Sequence, residues 1–548
     1  MKRKLIAFTI LCFASACTDL DLLPADGNVD AVVFKDPAAY RSYLAKIYAA
    51  FSHTGQQGPA GRPDITIVSD EGFTSYIRAY WKAQELTTDE AVIAWTDAGI
   101  RDLHSQAWSA DNQFVRVIYY RIFYIIAYAN DFLGQSTPAV LSERGISSTD
   151  QAIIMTYRAE ARFLRALAYW HALDLFRNVP ILTKISADLP SQATPQQLFD
   201  HIEAELIAIE SELADPMQNE YGRADRAALW MLQAKLYLNA ESMGVTLSGS
   251  RNAYTETAAA CQRVFDEGYS IAPIYNQLFL ADNHQFKSTE FIFTLPQDGI
   301  EAQNWGGTTF LVHAGIGGRM EDNIQDSDNT TAYPSGVEED VELYGVNGGW
   351  RGMRTTSSMV AKFSNVAPSN LTDPRGIFYT NGQSLAISDI AVFEQGYAVP
   401  KFKNITSTGE KGKNVTHADN DYPMFRLADT YLMYAEAVAR GGTGSLTDAT
   451  GYINELRDRA YGVGINNIIE ADLTLDFILD ERVRELYWEG TRRLDLIRFG
   501  KFAGLGEIIW PWKGGVEGGT SVEAYRKIFP IPTSDLAANP KLEQNDNY

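Results

Sequence analysis

Apolar side chains recur along much of this chain in steps of three and four residues, the period of a helix with one buried face. In 157–177, YRAEARFLRALAYWHALDLFR, the residues Phe163, Leu167 and Trp170 share a face, with Arg162, Arg165 and Asp174 beside it; Asn178 and Pro180 mark the end. The stretch 223–240 steps through Ala227, Met231, Ala234 and Leu238, and 426–440 through Leu427, Tyr431, Tyr434 and Val438. The stretch 448–461 follows with Ala449, Ile453, Leu456 and Ala460. A fifth helix is predicted over 475–498 from Leu479, Val483, Leu486 and Gly490. Small and large residues alternate on these faces, and Gly-containing turns such as RGGTGS join neighbours. The pattern predicts a mainly α protein whose helix pairs stack in a tetratricopeptide-like manner, an alanine on one helix admitting a bulky side chain from the next.

From about 280 to 420 the period is lost, and Gly, Asn, Asp, Thr and Pro dominate around short strand-like runs such as FIFTL. A structureless loop of that length does not fit a compact domain. The stretch therefore reads as an ordered, irregular subdomain laid on the helical scaffold, where binding residues are expected.

Composition places the chain among folded proteins: 45% of its 548 residues are hydrophobic and 12% aromatic. The first 16 residues, MKRKLIAFTILCFASA, join a basic start to a short apolar run and a small-residue end, the marks of a secretory signal too short to span a membrane. Cys17 follows in the frame ASAC, as in bacterial lipoprotein signals, and is the expected site of acylation; Cys12, preceded by Leu11, suits cleavage less well. Only Cys261 then remains, which leaves no pair for an intramolecular disulfide. The formal charge of −22 falls by three more with the loss of Lys2, Arg3 and Lys4. Such a surface repels nucleic acid and anionic lipid, so the lipid is the one expected membrane attachment.

The sequence carries no HExxH, CxxC pair, GxSxG elbow, P-loop or GxGxxG, and its seven histidines are scattered. Neighbouring acids such as Glu338 and Glu339 read as solvated surface in a chain with 69 acidic residues, so no catalytic residue is assigned. What stands out is aromatics in loops: Trp95 in TTDEAVIAWTD, Trp305 in EAQNWGGTT and Trp350 in NGGW. Each either packs its own loop or offers an indole face to a ligand. A pyranose ring presents a face of C–H groups that packs on indole, and rings in an arc would suit a curved oligosaccharide.

Long stretches carry a resemblance. CTDLDLLP, EARFLRALAYWHALDLFRNVP, ERVRELYWEGTRRLDLIRFGKF and the tail FPIPTSDLAANPKLEQNDNY resemble the SusD/RagB family of outer-membrane lipoproteins of Bacteroidetes. QDGIEAQNWGGTTFLV, YGRADRAALWMLQAKLYLNA and WKGGVEGGTSVEAYRKIFPIP are similar to its starch-binding members. The resemblance implies a non-enzymatic surface lipoprotein that captures starch or malto-oligosaccharide and delivers it to a SusC-like TonB-dependent outer-membrane transporter. The alternatives are a binder of another oligosaccharide and, from a different class, a glycoside hydrolase. It implies a signal peptide over 1–16, a lipid tether over 17–39, a helical part over 40–280, a loop-rich glycan-binding subdomain over 281–420 and a C-terminal helical part over 421–548.

By motif, Trp95, Trp305 and Trp350 match the starch-binding arc, with Trp305 in place of a tyrosine. Asp70 in SDEG and Arg78 match groups that bond sugar hydroxyls, or else form a surface ion pair. Starch-type members carry a second tryptophan two positions before Trp95 and an asparagine three after it, where this chain has Ile93 and Ala98. Arg492, Arg493 and Asp495 are expected in a buried ion-pair network fixing the C-terminal helix. No cofactor is required by the resemblance; Asp282 in FLADN and Asp421 in NDYP are candidate ligands of a structural calcium ion, although two carboxylates fall short of its six to eight oxygens.

Overall fold

The computed structural model describes residues 30–55, 58–59, 63–68, 70–317, 320, 343–364 and 372–548. The signal peptide, Cys17, and Glu338 with Glu339 lie outside the described residues. Twelve described helices have seven residues or more: α1 Pro37–Ser52, α2 Tyr76–Gln84, α3 Gln113–Gln135, α4 Ser148–Phe176, α5 Pro195–Ile209, α6 Arg226–Leu238, α7 Ala253–Phe265, α8 Gly307–Ala314, α9 Leu427–Ala439, α10 Leu446–Tyr461, α11 Leu475–Leu486 and α12 Arg492–Arg498. Four of the expected helices appear with ends shifted by a few residues, except that α4 begins nine residues earlier, where Ser147 caps the backbone of Asp150. Sequential neighbours pack in series, α3 on α4, α4 on α5, α6 on α7 and α9 on α10, with α7 also against α9. Ala227, Met231, Ala234 and Leu238 of α6 and Leu427 and Tyr431 of α9 are buried in one core, and α6 packs on α9 as well as on α7.

The predicted fifth helix is two. It stops at Leu486, passes through Trp488 at φ 67° and Gly490 at φ 80°, and resumes at Arg492. The break takes intrahelical partners from these amides, and side chains replace them: Glu90 accepts from the Trp488 amide at 2.9 Å and Glu85 from the amides of Gly490 and of Thr491, the latter at 2.8 Å. Gly490 is also a close approach, since a Cβ there would lie 2.3 Å from the Tyr80 ring. Glycine at 490 thus ends α11 rather than extending its apolar face.

The four charged residues of EGTRRLD are buried and paired. Arg492 forks onto Asp89 through two bonds of 2.8 Å, Arg493 reaches Asp174 at 3.2 Å, and Asp495 bridges Arg482 at 2.8 Å and Arg498 at 2.7 Å. Around them Arg426 joins Glu290, Glu485 and Glu489, while Arg375 and Lys401, from the loop-rich region, bond Glu481 and Glu489. This network joins 373–401 to the helices, and a short sheet does the same at residues 291–295: β2 Phe291–Leu295 pairs antiparallel with β4 Tyr422–Arg426.

A buried ion pair that loses one partner leaves a desolvated charge behind, at a cost of about 3–5 kcal/mol. Replacing Arg492 with alanine is expected to lower the unfolding free energy by about that amount, read from the midpoint of urea denaturation at unchanged slope. A shift of the size seen for surface residues would show that Asp89 finds another partner.

Candidate functional site

One eight-residue helix organises the candidate site. Trp305 stands two residues before α8 begins. At the other end the helix leaves carbonyls without intrahelical partners, and the Trp350 loop satisfies them. The Trp350 amide donates to the His313 carbonyl at 2.7 Å, and the Gly352 amide to Ala314 at 3.1 Å. Trp95 follows β1 Val92–Ile93, which pairs antiparallel with β3 Met353–Arg354, and its indole Nε1 donates to the Trp350 carbonyl at 3.0 Å. Three loops distant in sequence therefore converge on one beam about 12 Å long.

The rings form a bent row. Trp305 and Trp350 have centroids 6.1 Å apart at an interplanar angle of 53°, and Trp350 and Trp95 are 6.3 Å apart at 43°. All three are half-buried. The protein backs each one: His313 stacks on Trp350 at 4.7 Å and 17°, His417 tilts against Trp305 at 4.7 Å, and Phe310 meets Trp95 edge-on at 6.2 Å. The glycine after Arg351 has a packing role, because a Cβ on Gly352 would lie 2.6 Å from the Trp95 indole.

Arg78 is buried, and Asp70 is exposed at the end of a loop, so the two do not form a surface ion pair. The Arg78 guanidinium lies 5.7 Å from the Trp95 ring and 5.9 Å from Trp350, over Phe73 at 4.5 Å and Phe310 at 4.9 Å. Its Nη1 donates to the Trp305 carbonyl at 3.0 Å, while Glu71 accepts from the Trp305 amide at 3.1 Å. Burial lowers the Arg78 pKa to about 10 and raises that of Glu71 to about 7. Both backbone groups of Trp305 are thus held by side chains of the 71–78 segment. Ile93 is fully buried in β1 and adds nothing to the row; Ala98 is exposed and brings no polar group.

Sequence reasoning passed over Glu71, His313, His417 and Lys82. All nine residues of α2 are buried, Arg78, Lys82 and Gln84 included, so its charges look like a solvated face and are not. Lys82 sits below Arg78 with its ammonium 4.2 Å from the Phe114 ring and 4.5 Å from Phe73.

Asp282 and Asp421 line one cavity, whose lining does not include the tryptophans. Both Asp282 oxygens accept from Ser407, at 2.9 and 2.6 Å; Asp421 accepts from the Tyr221 hydroxyl and, at 2.8 Å, from the Gln297 amide. Burial raises the Asp421 pKa to about 6. Among the described residues no three His, Cys, Asp or Glu side chains gather as a metal would need. With their oxygens already engaged, these two aspartates do not fit a calcium cage, and no step is derived through such an ion.

The raised pKa of Glu71 predicts a pH dependence. The folded state keeps its proton up to about pH 7, while the unfolded chain loses it near 4.5, so this group's contribution is complete below 4.5 and declines as pH rises to 7. Glu71→Gln is expected to remove that decline: the difference in melting temperature between variant and wild type should change between pH 4.5 and 7.5. A constant difference would show that Glu71 titrates normally.

With this geometry in view, comparison with known proteins is informative. A SusD family model matches residues 308–548. The chain is 34% identical to the starch-binding protein SusD of Bacteroides thetaiotaomicron, over 99% of this chain and 98% of that protein. It is 23% identical to SusD-like protein P2 of Formosa agariphila, over 100% and 99% of the two chains. Among solved structures, surface glycan-binding protein A from Bacteroides thetaiotaomicron in complex with laminarihexaose matches with a TM-score of 0.67 at 19% identity, over 93% of this chain and 99% of that one, a likeness of fold. The helical architecture and the full-length similarity together show that the chain belongs to the SusD family.

Proposed function

We propose that this protein captures starch or malto-oligosaccharide on the Trp305–Trp350–Trp95 arc, acts at the cell surface as a lipoprotein anchored through Cys17, and delivers the glycan to a SusC-like TonB-dependent transporter of the outer membrane. The tilt of successive rings carries the reading. Planes rotated by 53° and then 43° follow a curved ligand. An α-1,4-glucan curves helically, whereas a flat β-1,4 chain would lie best on coplanar rings. Each indole buries a sugar face and releases water, the main source of affinity here. Of the two polar residues matched by motif, Asp70 is exposed and Arg78 contributes chiefly by holding Trp305. The starch-binding relative at 34% identity supports the same choice.

The complex of a structural neighbour with laminarihexaose makes a β-1,3-glucan the second reading, since such chains also curve. A hydrolase is the third. Glu71, a carboxyl beside Trp305, is buried and engaged with the Trp305 backbone, a structural assignment rather than a catalytic one.

Affinity electrophoresis and isothermal titration separate these readings. Retardation on amylopectin and binding of maltoheptaose are expected, with both weakened about tenfold or more by Trp350→Ala. Binding of laminarin or cello-oligosaccharides alone would overturn the α-glucan choice. Sugar released after prolonged incubation would replace the binder by an enzyme.

A further inference from the structure

Helix α1 and the loop 296–304 face each other across an open groove. One half, about 800 Å³, is bordered by Lys46, Asp64, Tyr124, Tyr128, Glu301 and Gln303. The other, about 640 Å³, continues past Ala45 and Gln297, and Ala49 with His53 belongs to both walls. Each half has the size of a small-molecule site.

The loop that walls the groove leads in the chain to the arc. Gln303 is two residues from Trp305, and the intervening Asn304 ties the loop to the end of α1 by donating to the Ser52 carbonyl at 3.3 Å. Asp64, on the opposite wall, is close enough that its charge helps to raise the Glu71 pKa under Trp305. Arg121 fixes Asp64 through two bonds of 2.8 and 2.7 Å.

Its chemistry repeats that of the arc. Tyr124 and Tyr128, one turn apart on α3, are half-buried, with ring centroids 4.5 Å apart at 80° and hydroxyls 2.9 Å apart. Lys46 covers one face of Tyr128 at 4.4 Å, and Arg121 lies 5.2 Å from the Tyr124 ring, as the histidines back the tryptophans. Opposite them, Glu301 is exposed, and Gln303 spends one amide N–H on the Gly299 carbonyl and keeps the rest of its hydrogen-bonding capacity. Paired aromatic faces, a carboxylate and a carboxamide across an open groove are the groups that take up a sugar chain.

We propose that this groove is a second set of sugar subsites, taking the continuation of the glycan held at Trp305, with Tyr124 and Tyr128 as stacking rings and Glu301 and Gln303 as hydroxyl partners. The inference rests on the glucan reading above and adds that the protein selects for chain length. A trisaccharide fills the arc; a longer chain also enters the groove.

Titrations of maltotriose and of a maltodextrin of ten glucose units test it on the full mature chain. The wild type is expected to bind the longer sugar more tightly. Tyr124→Ala, and separately the surface double variant Glu301→Ala/Gln303→Ala, should each weaken the longer sugar about five- to tenfold and leave maltotriose within twofold. The double variant, on an exposed loop, guards against a folding defect in the tyrosine variant. Equal losses for both sugars, or none, would overturn the second site while leaving the arc intact. A wild type that binds neither malto-oligosaccharide, yet binds another glycan, would instead sink the α-glucan reading and this extension of it together.

Discussion

Arg492 and Asp89 meet in the core with both side chains shielded from water, and the placement of the arc depends on that contact. Asp89 lies in the segment 85–93, which runs from the end of α2 to β1 with every residue buried. A strip of backbone with Glu85, Thr87, Thr88, Asp89 and Glu90 cannot be held in a core by apolar packing. It is held by partners: Arg492 on Asp89, the broken backbone of 488–491 on Glu85 and Glu90, and Thr356 donating to the Asp89 carbonyl at 2.5 Å. The break between α11 and α12 thus supplies the amides these carboxyls need, and the carboxyls satisfy the amides that the break exposes. Trp95 follows two residues after β1, so its position is inherited from a core contact with the C-terminal helices.

The same logic explains the floor of the site. Arg78 and Lys82 are one turn apart on α2 and both buried, an arrangement that burial and mutual repulsion oppose; the Lys82 pKa is lowered well below its ordinary value, first by burial and then by Arg78. Rings offset part of that cost. Phe73 touches both cations, Phe114 and Phe310 flank them, and the undersides of Trp95 and Trp350 close the stack above Arg78. The tryptophans are therefore not loose loop residues: their inner faces belong to the core, and that anchoring holds the outer faces at a fixed tilt.

Much of this was legible in the sequence; α1, α3, α5, α7 and α8 were not among the helices read from periodicity, and two further exceptions share a cause. Periodicity found α4, α6, α9 and α10 because their buried faces are apolar, and the recurrence of tryptophan in loops, two of the three beside Gly-Gly, singled out the rings. It passed over α2, whose buried face includes Arg78, Lys82 and Gln84, and it ran α11 and α12 together because Gly490 falls on the apolar step. In both places the interior is built from polar and charged groups whose partners lie far away in the chain, such as Arg78 with the Trp305 carbonyl or Asp89 with Arg492. A local pattern carries no sign of such partners. Arg492, Arg493 and Asp495 were legible because the resemblance pointed to a network there, although not to the residues that complete it.

Ile93 shows how specificity would follow on the glycan reading. In β1 its side chain packs inward with no exposure, so an indole at this position would either disrupt the core or turn the strand outward. Ala98 likewise presents a methyl group where an amide would have bonded a hydroxyl. With Ala98 apolar and Arg78 committed to the Trp305 carbonyl, these two positions would add little hydroxyl recognition. On that reading shape matters more: three rings at fixed mutual tilt would favour glycans whose successive pyranose faces turn by a similar amount, and would penalise straight chains that can meet only one ring at a time.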